Sequence, residues 1–298
     1  MRILLSFLSS AFVTGALVTV SFAQKPIVVQ AANYPLAYFA DRIATESFDV
    51  QYLVDPDVDP AFWKPSDEAM MRFQQADIIL RNGATYSKWM HHASLPVAAI
   101  VDTSREFRDK LIETEGDSHT HGDGNVHSHG GVAFTTWIDF SQASVQAEAI
   151  ARRFAAVKPS EAASINSNLA ALKADLEELD STMKELGGEI GEIPLMASHP
   201  IYQYFARAYH LNIESLEWEP EMEMTDKALG DFADLRETHE AAWMIWEGEP
   251  TPENVTALAA QGVNSLVFSP CANRPEKGDW LSVIKDNIKN LRVITVSE

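Results

Sequence analysis

Cysteine is almost absent from this sequence, which holds one thiol, Cys271, in 298 residues. A single thiol cannot form an intrachain disulfide, so no covalent cross-link can stabilise the fold. A lone cysteine is usually a small, buried apolar residue, and we interpret Cys271 in that way. Because no cysteine follows the apolar N-terminal stretch, a lipid anchor at that end is not expected either.

Basic residues are also scarce. Lysine and arginine number 23 against 43 aspartates and glutamates, and the formal net charge is −20. A chain this acidic will not hold nucleic acid through contacts to phosphate groups. Its charge suits solubility and a cationic ligand or partner.

Familiar enzyme motifs are missing as well. The sequence has no G-x-S-x-G, no H-E-x-x-H and no glycine-rich phosphate-binding loop. We therefore expect neither catalysis nor an organic cofactor. A metal-dependent hydrolase is the remaining enzymatic alternative, if His199, Glu219 and Glu247 held a metal with an open coordination position.

The first 23 residues combine one basic residue, Arg2, with a long apolar run that closes on the small-x-small pattern SFA. This order is typical of a secretory signal peptide cut after Ala23. A membrane anchor is the alternative, because the apolar run is nearly long enough to span a bilayer. We expect cleavage, and hence a periplasmic, monomeric mature protein that is not embedded in the membrane.

Short apolar runs alternate with helical patterns in both halves of the chain. The candidate strands of the first half are 26–32, 48–54, 76–80 and 97–101. Those of the second half are the segments IPLMAS, NIESLEW, AAWMIW and VNSLVF, separated by predicted helices at 200–209, 225–237 and 251–260. Such alternation predicts an α/β fold with mainly parallel sheets flanked by helices. We place the two lobes at 24–157 and 189–298.

One apolar stripe connects the two lobes. Apolar residues recur at spacings of four and three from Ile165 to Leu186, which indicates one face of a long helix. Pro159 would begin this helix and Gly187-Gly188 would end it. We predict a single rigid connecting helix within 158–188.

Polar residues directly after the strands mark where a ligand would bind, because ligands of open parallel sheets collect beyond the carboxyl ends of the strands. These residues are Asn33, Asp55, Asp57, Asp59, Asn82 and Asp102 in the first lobe, and His199, Glu219, Glu247 and Ser269 in the second. Asn and Asp in such places also cap the following helix. Glu is a poor capping residue and His199 stands at an exposed corner, so His199, Glu219 and Glu247 are the stronger candidates.

Four segments resemble those of a known family, the zinc/manganese solute-binding proteins of bacterial ABC importers. They are DVDPAFWKPSD (57–67), AFTTWIDFS (133–141), SHPIYQYFARAYHL (198–211) and LVFSPCAN (266–273). The resemblance implies paired α/β lobes with a long connecting helix. It also implies a divalent metal as cargo, Zn²⁺ first and Mn²⁺ second, and the membrane permease of an ABC importer as partner.

Most metal ligands that the resemblance implies are replaced in this chain. The expected histidines fall at Ala61 and Thr135, and the expected terminal carboxylate falls at Ser269, so only His199 is retained. A methyl group offers no lone pair, and hydroxyl groups bind Zn²⁺ poorly. The resemblance therefore predicts fold, export and transporter partnership, but not an intact copy of the family's metal site.

Residues 116–131, GDSHTHGDGNVHSHGG, hold four of the nine histidines as two H-x-H-G units. In an extended segment residues i and i+2 point to the same side, so His119 can act with His121, and His127 with His129. Neutral imidazole is a common metal ligand, and we predict metal binding by this loop. A solvated low-complexity insertion is the alternative reading.

Two arrangements of the metal remain open. In one, His127 or His129 folds into the cleft and joins His199 with Glu219 or Glu247, and Asp59 completes the candidate ligands. In the other, the loop binds metal alone and the cleft holds something else.

The leading function is capture of a divalent metal ion, zinc before manganese, in the cleft between the lobes for delivery to an ABC importer. Two alternatives stay open. One is a binding protein of the same fold for a chelated metal or a small organic ligand. The other is a periplasmic metal buffer that uses the histidine-rich loop alone.

Overall fold

The computed structural model describes residues 25–114, 131–223 and 225–296, together with the backbone of 118–120 and 126–128. The predicted signal peptide, His121 and His129 lie outside these described residues. No described helix combines the length and apolar character that a membrane crossing requires.

The first lobe is built on a four-stranded parallel sheet in the order β2-β1-β3-β4. Its elements are β1 (Ile27–Ala31), α1 (Tyr34–Ile43), β2 (Phe48–Gln51), α2 (Asp67–Gln74), β3 (Ile78–Arg81) and β4 (Ile100–Asp102). Val29 of β1 and the three consecutive residues Ile78, Ile79 and Leu80 of β3 are inaccessible to solvent. Burial on both faces is what a parallel sheet covered by helices requires.

Two short antiparallel pairs follow the first sheet. Their strands are β5 (Glu113–Thr114), β6 (Ser118–Thr120), β7 (Val126–Ser128) and β8 (Gly131–Val132). Strand β5 pairs with β8, and β6 pairs with β7. In the second pair the backbone of His119 lies opposite that of His127.

The second lobe repeats the design of the first with a parallel sheet in the order β10-β9-β11-β12. Two long helices, α3 (Phe140–Val157) and α4 (Ala162–Ile190), lead into it. Its own elements are β9 (Pro194–Ala197), α5 (Gln203–Tyr209), β10 (Asn212–Ser215), α6 (Asp226–Thr238), β11 (Trp243–Trp246), α7 (Pro252–Ala260), β12 (Asn264–Val267), α8 (Trp280–Leu291) and α9 (Val293–Val296).

One hydrophobic core runs through both lobes. It contains Phe39 of the first lobe, Leu179 of α4 and Phe205 of the second lobe, all buried. Helix α4 packs mainly on α3 and also contacts α1 and α5. The two-lobed α/β fold with a long connecting helix is confirmed, whereas the exact domain limits stay a prediction.

The predicted end of the connecting helix is wrong. Helix α4 continues through Gly187 and Gly188 to Ile190, and the backbone reverses at Gly191, whose φ is +58°. A Cβ atom on residue 187 would lie 2.2 Å from the carbonyl oxygen of Tyr209. Gly187 therefore lets α4 and α5 approach closely and does not stop the helix.

The predicted strand 97–101 is shorter in the structure. It begins as a 3₁₀ turn, Val97–Ala99, and only its last residues join β4.

Helix α3 is not predicted from the sequence, because its buried face is made largely of alanine and glutamine, which gives a weak apolar pattern. Its start is nevertheless well defined, since Asp139 Oδ1 accepts hydrogen bonds from the amides of Ser141 and Gln142.

Candidate metal site

The candidate ligands of the second lobe meet at the carboxyl ends of three neighbouring strands. His199 follows β9, and Glu219 and Glu247 follow the flanking strands β10 and β11. His199 Nδ1 lies 3.6 Å from Glu219 Oε1 and 4.0 Å from Glu247 Oε1. One ligand atom of each residue lies within 4.8 Å of the others. The structure thus brings three of the sequence-predicted residues together.

A third acidic residue near this group, Glu217, was not predicted from the sequence. Its Oε2 lies 4.0 Å from His199 Nδ1. Between Glu217 and Glu219, Trp218 is buried and its amide donates to the carbonyl of Ser198, so the chain is extended here. Residues i and i+2 of an extended chain face the same way, so the pattern E-W-E was the signal that would have found Glu217.

The spacing of the donor atoms suits a small divalent cation. Zinc lies about 2.0–2.2 Å from nitrogen and oxygen ligands, so tetrahedral ligand atoms stand roughly 3.3–3.6 Å apart. The observed separation of 3.6 Å lies at the upper end of this range, and that of 4.0 Å exceeds it by a few tenths of an ångström. One imidazole and two carboxylates form a donor set that suits Zn²⁺, and carboxylate oxygens also suit Mn²⁺.

These residues line a cavity of about 50 Å³ between the lobes. The first lobe contributes Asp59, Tyr86 and Thr135 to its walls. Sites for organic ligands typically measure about 300–1,000 Å³. The cavity in this conformation therefore has room for an ion with a water molecule and is too small for an organic ligand.

Asp59 approaches the cavity from a loop of the first lobe. Its Oδ1 accepts a hydrogen bond from the amide of Ala61, at 2.7 Å. Asp59 lines the same cavity as the three candidate ligands, but it is not one of the group whose atoms lie within 4.8 Å of one another. It thus faces the candidate ligands from the opposite lobe.

Asn273, in the second lobe, holds the loop that carries Asp59. Its Nδ2 donates to the carbonyl oxygens of Asp55, Pro56 and Val58, at 2.7, 3.1 and 2.8 Å. Its Oδ1 accepts from the hydroxyl of Tyr52 at 2.9 Å. One side chain thus fixes the loop of one lobe to the other lobe.

Negative charge accumulates in the cavity. Burial raises the pKa of Glu247 well above its usual range, and the negative charges of Glu219 and Asp59 raise it further. Carboxylates that repel one another in a confined space favour a cation, because the cation replaces repulsion by attraction. The electrostatics of the site therefore agree with its geometry.

The positions where the family resemblance implied ligands have other roles. Thr135 lines the cavity, but its hydroxyl donates to the carbonyl of Ile201. The hydroxyl of Ser269 accepts a hydrogen bond from the amide of Cys271 at 3.2 Å. Cys271 itself is buried, in agreement with its interpretation as a core residue.

Two polar strand ends of the first lobe, Asn82 and Asp102, form bonds within that lobe. Asn82 donates to the carbonyl of Phe134 at 2.9 Å and accepts from Gln146 at 3.0 Å. Asp102 pairs with Arg81 at 2.8 Å. Neither residue is among those that line the candidate metal cavity.

The side chains of the histidine-rich loop lie outside the described part of the structure. His119 and His127 are described by their backbone alone, and His121 and His129 lie outside the described residues. Their role as metal ligands stays a prediction from the sequence pattern.

A family model described as ZnuA, zinc-uptake complex component A periplasmic, matches residues 29–293. The chain belongs to this family. Its relatives include the zinc-binding lipoprotein AdcA of Streptococcus pneumoniae, 22% identical over 284 residues, which cover 89% of this chain and 55% of AdcA. The high-affinity zinc uptake protein ZnuA of Haemophilus ducreyi is 29% identical over 124 residues, 41% of this chain and 40% of that protein. The chain spans about half the length of its AdcA relatives.

Solved structures of similar proteins share the fold of this ZnuA-family chain. The metal-dependent lipoprotein YcdH of Bacillus subtilis matches with a TM-score of 0.76 at 18% identity, over 90% of this chain and 98% of YcdH. Zn(II)-bound AdcA of Streptococcus pneumoniae matches with a TM-score of 0.75 at 19% identity, over 91% of this chain and 58% of AdcA. The family resemblance and the fold class predicted from the sequence are both confirmed.

Proposed function

We propose that this ZnuA-family chain is an exported substrate-binding protein that captures a divalent metal ion, zinc before manganese, and delivers it to the permease of an ABC importer. The observation that carries the proposal is the convergence of His199, Glu219 and Glu247 in one small interlobe cavity. Asp59 is the candidate ligand from the first lobe.

Several relatives support this assignment by what they bind. AdcA is a zinc-binding lipoprotein, and SloC of Streptococcus mutans is a metal ABC transporter substrate-binding lipoprotein. The substrate-binding protein FpvC of Pseudomonas aeruginosa, which has the same fold with a TM-score of 0.73, was solved with Mn²⁺. The signal-peptide pattern of residues 1–23 supports export to the periplasm.

Capture follows from the chemistry of the donors. The ion exchanges its water for one imidazole and two carboxylates of the second lobe, and Asp59 then shields it from the first lobe. A ligand must be deprotonated to bind a metal, and the raised pKa of Glu247 makes its deprotonation harder. Metal affinity will therefore fall as the pH decreases, and binding will release protons.

The connecting helix limits how the lobes move. Helix α4 has 29 residues, and buried residues recur along its length from Ile165 to Ile190. A helix packed along its length against both lobes does not act as a flexible hinge. Release of the ion to the permease is thus accompanied by local rearrangement at the cleft, such as movement of the loop that carries Asp59. We propose that the chain acts in this form as a monomeric binder and not as an enzyme.

The test is calorimetric titration of zinc into the metal-stripped chain. We expect one tight site in the wild type. His199→Ala weakens it by more than about 100-fold, because loss of a ligand costs more than loss of an outer-sphere partner. His92→Ala, at an exposed histidine of the first lobe, is the matched control and leaves affinity unchanged.

Deletion of residues 117–130 separates the two roles of the histidine-rich loop. Loss of the tight site in this variant would mean that loop and cleft share one ion. Weak, multiple binding in the wild type that is abolished by the deletion and indifferent to His199→Ala would overturn the proposal in favour of a metal buffer.

A further inference from the structure

A basic groove runs along the open edge of the first lobe, where β4 is the last strand of the sheet. Its volume is about 930 Å³. The arginines that line it are Arg81, Arg105, Arg108, Arg152 and Arg153. The lining also contains two carboxylates, Asp102 and Glu106, so five positive charges face two negative charges. The groove is therefore positive in a chain whose formal net charge is −20.

The ion pairs within the groove neutralise only part of this positive charge. Asp102 pairs with both Arg81 and Arg108, at 2.8 and 3.4 Å, so one carboxylate serves two cations. Glu106 pairs with Arg152. Arg105 is exposed, and no ion pair of its side chain occurs within the described residues.

Two arginine side chains of the groove also keep unused donors. The Nε atoms of Arg81 and Arg153 are buried and find no hydrogen-bond acceptor in the part of the chain that the structure describes. A buried donor without an acceptor costs free energy. Because these Nε atoms are buried, an oxyanion in the groove would instead meet the exposed guanidinium groups of Arg105, Arg108 and Arg152. The guanidinium fork matches carboxylate and phosphate groups with two parallel hydrogen bonds.

The groove also has an apolar side. Val97 is 83% exposed, and Ile100, Val101 and Ala149 lie beside it in the lining. A volume of about 930 Å³ falls within the range of roughly 300–1,000 Å³ that is usual for small organic ligands. Guanidinium groups above an apolar wall suit an anion that has a carbon skeleton.

We infer that this groove binds a small multivalent oxyanion, an organic polycarboxylate or a phosphate ester. The inference does not depend on metal binding, because the groove and the metal cavity share no lining residue. Several charged contacts to one ligand give an affinity that added salt lowers by screening.

Calorimetry on the metal-stripped full chain tests this inference, with citrate and pyrophosphate as separate probes in metal-free buffer. We expect a single site for at least one probe. The double variant Arg105→Gln/Arg152→Gln weakens it by about tenfold or more, because two charge-assisted contacts are lost. Arg292→Gln, at an exposed arginine of the second lobe, leaves it unchanged.

The two probes distinguish the sources of the anion, since citrate reports a polycarboxylate and pyrophosphate a phosphate compound. Absence of binding by both probes would overturn the inference. So would equal binding by the wild type and the double variant, provided that their melting temperatures agree. Binding that disappears in His199→Ala would place the anion at the metal cavity and would also contradict a separate groove site.

Discussion

The two lobes have sheets of the same strand order, but among the described residues it is the strand ends of the second lobe that bring an imidazole and two carboxylates together. Strands β9, β10 and β11 are followed by His199, Glu219 and Glu247. In the first lobe β3 is the counterpart of β11, and it is followed by Asn82, which is bonded within its own lobe. Strand order therefore determines where a site can form, and the side chains at those points determine whether one does.

The first lobe contributes to the cavity in a different way. Asp59 belongs to a loop, and the position of that loop depends on bonds from Asn273 of the opposite lobe. One half of the site is thus fixed by neighbouring strands, and the other half by a single side chain that crosses the cleft. The two halves should respond differently to substitution.

Removal of the strand-end carboxylates has the largest expected effect. We expect Glu219→Gln/Glu247→Gln to bind zinc more weakly than wild type by well over 100-fold, because two of the three clustered candidate ligands lose their charge. Competition against a zinc chelator of known affinity measures this change. Glu221→Gln/Glu249→Gln, at two exposed glutamates of the same segments, is the control. Tight binding by the double variant would show that the second lobe is not the main source of ligands.

Loss of the link across the cleft has a smaller effect. We expect Asn273→Ala to weaken zinc binding by roughly tenfold, the scale of an outer-sphere partner, through displacement of the Asp59 loop. Asn264→Ala, which loses one long bond of 3.4 Å from its side chain, is the control.

A double-variant cycle decides whether Asn273 acts through Asp59. If it does, Asn273→Ala/Asp59→Asn binds zinc about as well as Asp59→Asn alone. Fully additive losses would refute this positioning role and assign the effect of Asn273 to another contact.

The smallest expected effect concerns the stability of the metal-free chain. The pKa of Glu247 is raised in the folded chain, so its contribution to stability is complete below the unfolded pKa of about 4.3 and is lost as the pH rises. Glu247→Gln mimics the protonated form and should raise the melting temperature at neutral pH, by roughly 2–4 °C for each kcal/mol.

This gain should disappear near pH 4, where the wild type is itself protonated at Glu247. Glu249→Gln, two residues away and exposed, is expected to change the melting temperature little at either pH. Equal melting temperatures of wild type and Glu247→Gln at neutral pH would mean that the carboxylate carries no such penalty.

Features that depend on residues close together in sequence could be predicted, and contacts between distant residues could not. His199, Glu219 and Glu247 were identifiable because a strand end is a local feature, and Glu217 was within reach of the same alternation. The contacts of Asn273 join residues 215–218 positions apart in sequence, and no periodic pattern encodes them. Gly187 was misread because a close helix contact and a helix end both favour glycine.

That glycine has a consequence for how the chain can evolve. A methyl group at residue 187 would collide with the backbone of Tyr209, the last residue of the helix that begins just after His199 and Pro200. Replacement would push this helix and so shift the imidazole, although residue 187 touches no ion. Residue 187 should therefore tolerate substitution poorly although it binds nothing itself. A survey of tolerated substitutions is expected to show it as restricted as a metal ligand.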